Sequence, residues 1–329
     1  MNRTHRRERV RRWLCIFLLV LPVRAPHAQT NVKLSPSDKI MTFEYGAGEH
    51  QLDTLMVDQG KPWKTLIESY RVEKDGSAWL LTAGAARQAL RHFKAVRGRA
   101  VQVARIDLPE FSRRGSIEDF LWIDDRVVLA QSAVERTSRA VFYRWRTDSL
   151  PEEVMLPWAA GYNLVGGRPL ANLGRLRLVG DEVYDCFPRN CSCVHIGSRN
   201  RLLPRLTADD VLTGIPTQTG EMVWADRMSV FCGITPVVDL SQGRAGLLDE
   251  VFEDGSFVLL RTATRPVVEG RPCDLLDVYR ADGQLVRSVV LPKPRPDTYV
   301  VGDGDSFYFT QTAIYQLVFS PAGGVLIRY

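Results

Sequence analysis

Apolar residues in this chain come in short runs separated by polar turns. Windows of eleven residues with a helical period are scarce. Ala83 to Phe93 is the best of them, and Gly84 interrupts it. The rest reads as strand, turn, strand. Two stretches show the unit plainly. Asp277 to Val286 (DVYRADGQLV) is a strand, an Asp-Gly turn and a strand, and Gln316 to Leu326 (QLVFSPAGGVL) repeats that form. Gly accepts the positive φ of a tight turn, and Asp caps it with its own side chain.

The unit recurs. An acidic or Gly turn followed by an apolar strand stands at Asp75-Gly76, Asp124-Asp125, Gly180-Asp181, Asp226-Arg227, Asp254-Gly255 and Asp303-Gly304. From Asp75 to Asp303 this makes five steps over 228 residues, a mean near 46, although Asp226 to Asp254 is only 28. Leu-Pro closes apolar segments at Leu108-Pro109, Leu156-Pro157, Leu203-Pro204 and Leu291-Pro292. Short strands with such a period predict a β-propeller: an all-β fold of six four-stranded antiparallel blades, five to seven being compatible with the length. A pair of β-sandwiches is the rival, since frequent short strands suit it too. Lys39 to Tyr45 lies outside the repeats, with Met41, Phe43 and Tyr45 on one face. It, or Leu55-Met56-Val57, is expected to pair into the last blade and close the ring.

One segment carries a resemblance. Val72 to Leu81 (VEKDGSAWLL), continuing to Arg87-Gln88-Ala89-Leu90-Arg91-His92-Phe93, resembles a blade of the NHL-type six-bladed propellers. Those blades run apolar strand, Asp-Gly turn, apolar strand, polar loop, Arg-x-apolar, Phe. Thr82 and Ala83 stand where such blades usually carry Asp. The resemblance implies the fold over about residues 40–329. It does not fix a function, since such propellers include binding platforms and a few enzymes.

The N-terminus reads as an address. Seven arginines fall within residues 1–28, and Trp13 to Val23 is an apolar run of eleven. That is too short to span a bilayer and suits the apolar core of a secretory signal. Cleavage is expected after Ala28, leaving one propeller domain over 29–329; an uncleaved anchor is the alternative reading. Arg11-Arg12-Trp13-Leu14 faintly matches a twin-arginine signal, so the export route stays open. Seven lysines against 36 arginines is the bias of a high-GC bacterial genome. The expected location is therefore periplasmic or extracellular. Beyond residue 28 the balance is 36 basic to 37 acidic residues, without the basic excess of a nucleic-acid binder. No later stretch is apolar enough to span a membrane.

Chemistry is sparse. There is no Gly-x-Ser-x-Gly, His-Glu-x-x-His, phosphate-loop or dinucleotide pattern. Five cysteines remain after residue 28: Cys186, Cys191, Cys193, Cys232 and Cys273. Export favours disulfides, Cys186 with Cys191 or with Cys193, and Cys232 with Cys273 between blades. Cys186, Cys191, Cys193 and His195 could instead supply four soft metal ligands, but their spacing matches no zinc pattern, and no metal or cofactor is expected. Gly302 to Ser306 brings Asp303 and Asp305 together in what reads as a turn. Two loops stand out as recognition surfaces, one with Trp158, Tyr162 and Asn163, the other with Arg189, His195 and Arg199. These features lead to the expectation of a non-enzymatic scaffold or accessory subunit that binds another protein, at a membrane surface or in the periplasm. The alternatives are a metal-dependent, lactonase-like propeller hydrolase and a small-ligand or sugar-binding propeller.

Overall fold

The computed structural model describes residues 34–52, 54–55, 64–65, 67–83, 87–111, 115–132, 138–147, 149–157, 174–241, 246–261, 266–269, 271–293, 299–300 and 307–329. Residues 1–28, expected to be a secretory signal, Trp158, Tyr162, Asn163 and residues 302–306, expected to be a turn, lie outside them. All described residues belong to one unit, Lys33–Tyr329.

Strand pairing among the described residues builds successive antiparallel meanders. Meander I is Ile67–Val72, Ala78–Ala83, Gln88–Val96 and Arg99–Asp107. Meander II is Ile117–Ile123, Arg126–Ser132, Ser138–Trp145 and Glu152–Pro157. Meander III is Arg175–Val179, Glu182–Phe187 and Ser192–Ser198, its outer edge shared by Arg201–Leu202 and Val211–Thr213. Meander IV is Ile215–Pro216, Met222–Ala225, Ser229–Cys232 and Thr235–Asp239. Meander V is Gly246–Val251, Phe257–Arg261, Arg271–Tyr279 and Leu285–Pro292. Meander VI takes Tyr299–Val300 and Phe307–Phe309 on one edge of Ile314–Ser320, then Gly323–Arg328, and its last strand is the N-terminal Asp38–Phe43.

Neighbouring residues of one strand serve opposite faces, as the two-residue period of a strand requires. Leu80 packs with Phe43, Phe93 and Phe319 in a core between meanders VI and I. Leu81, next to it, packs with Phe120, Leu129 and Tyr143 between I and II. Val128 and Ala130 then face Leu176 and Ile196 between II and III. Cys186, Val223, Leu248 and Phe257 join III, IV and V, and Val258, Leu276 and Ile314 join V and VI. The cores hand on around a closed ring, so the fold is a β-propeller and not a pair of sandwiches. Burial on both faces also explains the near-continuous apolar runs.

Ring closure follows the expectation for Lys39 to Tyr45. Met41 pairs with Leu326 and Phe43 with Gly324, and Tyr45 donates its hydroxyl to Ser320 O at 2.9 Å. Two glycines permit the approach. A Cβ on Gly323, whose φ is +135°, would lie 2.4 Å from Phe43 O, and one on Gly324 would lie 2.3 Å from a Phe319 ring carbon.

The repeat marks acquire positions. Asp75, Asp124, Gly180 and Asp254 head the turns between first and second strands, and each Leu-Pro ends an outer edge. Asp226 is different: it sits between the second and third strands of meander IV. The matching turn there is Thr217 to Glu221, whose Thr217 N–H donates to Glu221 O. This is why the step of 28 broke the spacing. The helical window at Ala83 to Phe93 is corrected as well. Its ends belong to the strands Ala78–Ala83 and Gln88–Val96, where Leu81 faces Leu90.

Candidate functional site

The first strand of each meander lies innermost, and several carry charge where the rest of the strand is apolar. Two linked clusters result. In the first, Asp119 of meander II takes hydrogen bonds from Ser69 Oγ (2.6 Å), Leu176 N (2.8 Å) and Arg71 (2.7 Å). Arg71 also donates to Phe120 O and Leu176 O, so one guanidinium ties meanders I, II and III together. Asp185, on the second strand of III, sits on the same face as its partner Leu176. It is 1% exposed, and its Oδ1 has no hydrogen-bond partner among the described residues. Burial and then the nearby Asp119 charge push its carboxyl up to about 8, with the Gly174 backbone amide offsetting a part. A carboxyl so placed keeps its proton at neutral pH. Gly174 is glycine for a local reason: a Cβ there would lie 2.7 Å from Asp185 Oδ1.

In the second cluster Arg175 reaches across the ring. One of its nitrogens is 3.4 Å from Glu250 of meander V, another donates to Phe307 O of meander VI at 2.5 Å, and its Cζ is 5.8 Å from the Tyr308 ring. Arg177 adds an ion pair to the same Glu250 at 2.9 Å. Tyr70 of meander I completes the wall, its ring 6.0 Å from that of Tyr308 and its hydroxyl donating to Tyr315 O. Contacts from this inner strand to meanders I, II, V and VI place Arg175 at the axis. Next to it, Arg189 pairs with the buried Asp249 at 2.6 Å.

The loop residues singled out in the sequence fall at separate places. Arg189 stands on the 3-10 turn Pro188–Asn190 and points inward to Asp249. His195 bonds Glu182 at 2.6 Å and packs 5.1 Å from the Tyr184 ring. Arg199 bridges Asp124 of meander II and Asp181 of meander III, each at 3.4 Å. Each thus answers a different acid. Among the cysteines, Cys186 and Cys193 face each other across the hairpin and form a disulfide with Cα atoms 4.1 Å apart. The expected Cys232–Cys273 bridge is corrected. Cys273 is buried in meander V, Cys232 lies beside Glu221 in meander IV, and the two are not joined to each other. The disulfide also consumes two of the four soft ligands once grouped with His195.

The axial residues were missed in the sequence. A signal for them exists: Arg71, Asp119, Arg177 and Glu250 each stand four or five residues ahead of a turn mark, at Asp75, Asp124, Asp181 and Asp254. A charge at one fixed place in an apolar strand, repeated with the period, marks the inner wall. The donor set does not suit a divalent cation. Asp119 and Glu250 are committed to guanidiniums, and no three His, Cys, Asp or Glu side chains converge among the described residues.

No family model matches the chain, and no curated protein does. Solved structures align over most of it. A 6-phosphogluconolactonase candidate from Bacteroides fragilis is 10% identical, with 88% of this chain and 92% of that one covered and a TM-score of 0.43. The periplasmic gluconolactonase of Pseudomonas aeruginosa is 13% identical, with 87% and 93% covered and a TM-score of 0.40. A glucose-dehydrogenase-type oxidoreductase candidate from Thermus thermophilus is 12% identical, with 84% and 99% covered and a TM-score of 0.43. The likeness is one of fold, and the activities in those names belong to those proteins. The expectation of a non-enzymatic docking scaffold is corrected all the same. The aligned folds bear the names of enzymes, two of them lactonases.

Proposed function

We propose that this chain is an exported, lactonase-like propeller hydrolase that opens the lactone of a small sugar acid at the axial site. The observation that carries the reading is Asp185, a buried carboxyl raised to about 8 near Asp119, the acid that Arg71 holds. Perturbed carboxyls of this kind suit general acid–base work near neutral pH. Ionised Asp185 takes a proton from water as the water oxygen bonds to the lactone carbonyl carbon. The oxyanion that forms is met by the positive field of Arg71, Arg175 and Arg177. When the ring C–O bond breaks, the Asp185 carboxyl returns its proton to the leaving oxygen, giving the hydroxy acid. Because Asp185 is closed off from solvent, opening of the site belongs to the cycle.

Export rests on the Arg-rich segment and apolar run within residues 1–28. No helix among the described residues is long and apolar enough to cross a membrane. The test is hydrolysis of glucono-δ-lactone and its homologues in a pH-stat, with the spontaneous rate subtracted. Turnover lost in both Asp185→Asn and Arg175→Gln supports the proposal. Equal rates in the parent and in Asp185→Asn end it.

A further inference from the structure

The hairpin that carries Asp185 carries a second buried polar group. Ser192 opens the strand Ser192–Ser198 and is 1% exposed. Its Oγ has no hydrogen-bond partner among the described residues, and neither has Asp185 Oδ1. Buried polar atoms without partners are costly and rare, so two of them on one hairpin call for a shared partner.

The register fixes where Ser192 points. Phe187 pairs with Ser192, Cys186 with Cys193, and Asp185 with Val194. Side chains alternate along a strand, and directly paired residues share a face. Asp185, Phe187, Ser192 and Val194 therefore project to one side, where Phe187 and Val194 join Leu176 in the core against meander II. Cys186 and Cys193 project to the other side, into the core with Val223 and Leu248. Asp185 and Ser192 are thus diagonal neighbours, a relation that sets Cβ atoms about 7 Å apart. Both side chains are short and fall short of each other. The gap suits one water with a hydrogen bond at each end.

Two features hold this arrangement. The Cys186–Cys193 disulfide ties the strands at the register step between Asp185 and Ser192. Cys191, just before Ser192, has φ +50° and ψ +50°, a left-handed conformation uncommon outside glycine. Its carbonyl accepts from Gly214 N at 2.6 Å and its Sγ from Ala225 N at 3.1 Å, so its surroundings keep the strained residue in place. Strained residues of this kind cluster at working sites.

We infer that Ser192 is a positioning residue of the axial site, its hydroxyl and Asp185 Oδ1 holding between them the water that attacks the lactone. The inference rests on the hydrolase reading of the axis. The Ser192 hydroxyl donates to the water oxygen, and the water donates one proton to ionised Asp185. The lone pair left on the oxygen is then aimed at the carbonyl carbon. As the new C–O bond forms, that O–H bond breaks and its proton stays on Asp185. The proton passes to the ring oxygen when it leaves. The charges that bear on Asp185 are those of Asp119 and Glu118 in meander II, and the Gly174 amide donates to it. Ser192 adds the group that sets the direction of the water.

Two measurements on the purified protein test this. The first is steady-state lactone turnover in Ser192→Ala and Ser192→Thr. Ser192→Ala removes a hydroxyl that no protein group bonds and should keep the fold. It should lower kcat about tenfold, the factor of one hydrogen bond, with KM within about twofold of the parent. Ser192→Thr restores the hydroxyl and should recover kcat. The second is the infrared carboxyl band of Asp185, identified by its loss in Asp185→Asn and followed against pH without substrate. The water bonds the ionised carboxyl, so Ser192→Ala should move the midpoint up by about one pH unit, and Ser192→Thr should leave it at the parental value. An unmoved midpoint in Ser192→Ala overturns the inference, as does a change confined to KM. Absence of lactone turnover in the parent overturns the hydrolase reading instead, and the infrared midpoint then decides the water bridge on its own.

Discussion

The axis and the outer corner of meander II both bury charge, and they solve the problem in opposite ways. At the axis Arg71 answers Asp119, and Arg175 and Arg177 answer Glu250, while the one carboxyl left over, Asp185, keeps its proton. At the corner Arg144 cannot shed its proton near neutral pH, because a guanidinium stays charged under all ordinary conditions. Its charge is met instead by Glu152 at 3.4 Å. An acid can accept burial by becoming neutral, whereas an arginine must find an anion. The axis is thus suited to moving a proton, and the corner to tying two strands together through an ion pair.

The largest effect should come from the carboxyl itself. Asp185→Asn is expected to lower lactone turnover by about 10²–10⁴-fold, the usual contribution of a general base. The same change should raise stability. In the folded protein Asp185 stays protonated up to about 8, while in the unfolded chain it ionises near 3.8. As pH rises between those values the unfolded state sheds a proton that the folded state retains, so the parent loses stability over this window. Melting temperatures of parent and Asn variant should diverge from pH 4 to pH 8. Parallel curves would show that the carboxyl is not desolvated.

Next comes removal of a compensating charge. Glu250→Ala leaves Arg175 and Arg177 buried without their acid and should cost about 3–5 kcal/mol in denaturant unfolding. A loss below about 1 kcal/mol would place those arginines in water, and the axis would then resemble an ordinary surface. The Cys186–Cys193 disulfide holds the hairpin that carries Asp185. Replacing both cysteines by serine should cost about 2–3 kcal/mol, the chain-entropy value for so short a loop, and should reduce turnover. The smallest effect has the opposite sign. Arg126→Gln removes a like-charge neighbour of Arg144 and should stabilise the protein by up to about 1 kcal/mol.

Much of the architecture was legible because it depends on features that repeat. Turn residues at Asp75, Asp124 and Asp254 announce hairpins through their own backbone chemistry, and Leu108-Pro109 and Leu291-Pro292 mark where outer strands must end. Met41 and Phe43 disclosed the closing strand by alternation alone. Meander IV was harder to read. Its first strand, Ile215–Pro216, has two residues, so the eye took the next turn, at Asp226, for the mark. The site was harder still. Arg175 meets Glu250 and Phe307 only because the ring brings positions 75 and 132 residues apart to one axis, and no local pattern encodes that. Arginines and a histidine in a Cys-bearing loop looked like a recognition surface, yet Arg189 turns inward to Asp249. Cysteine spacing left two partners open for Cys186, and the antiparallel register chose Cys193 by setting it directly opposite.

The pH dependence of kcat/KM for sugar-lactone opening tests the account most directly. The account requires a limb that rises with a midpoint near pH 8 in the parent protein and disappears in Asp185→Asn. A profile that is flat through that range, or one that keeps the same midpoint in the Asn variant, would contradict it.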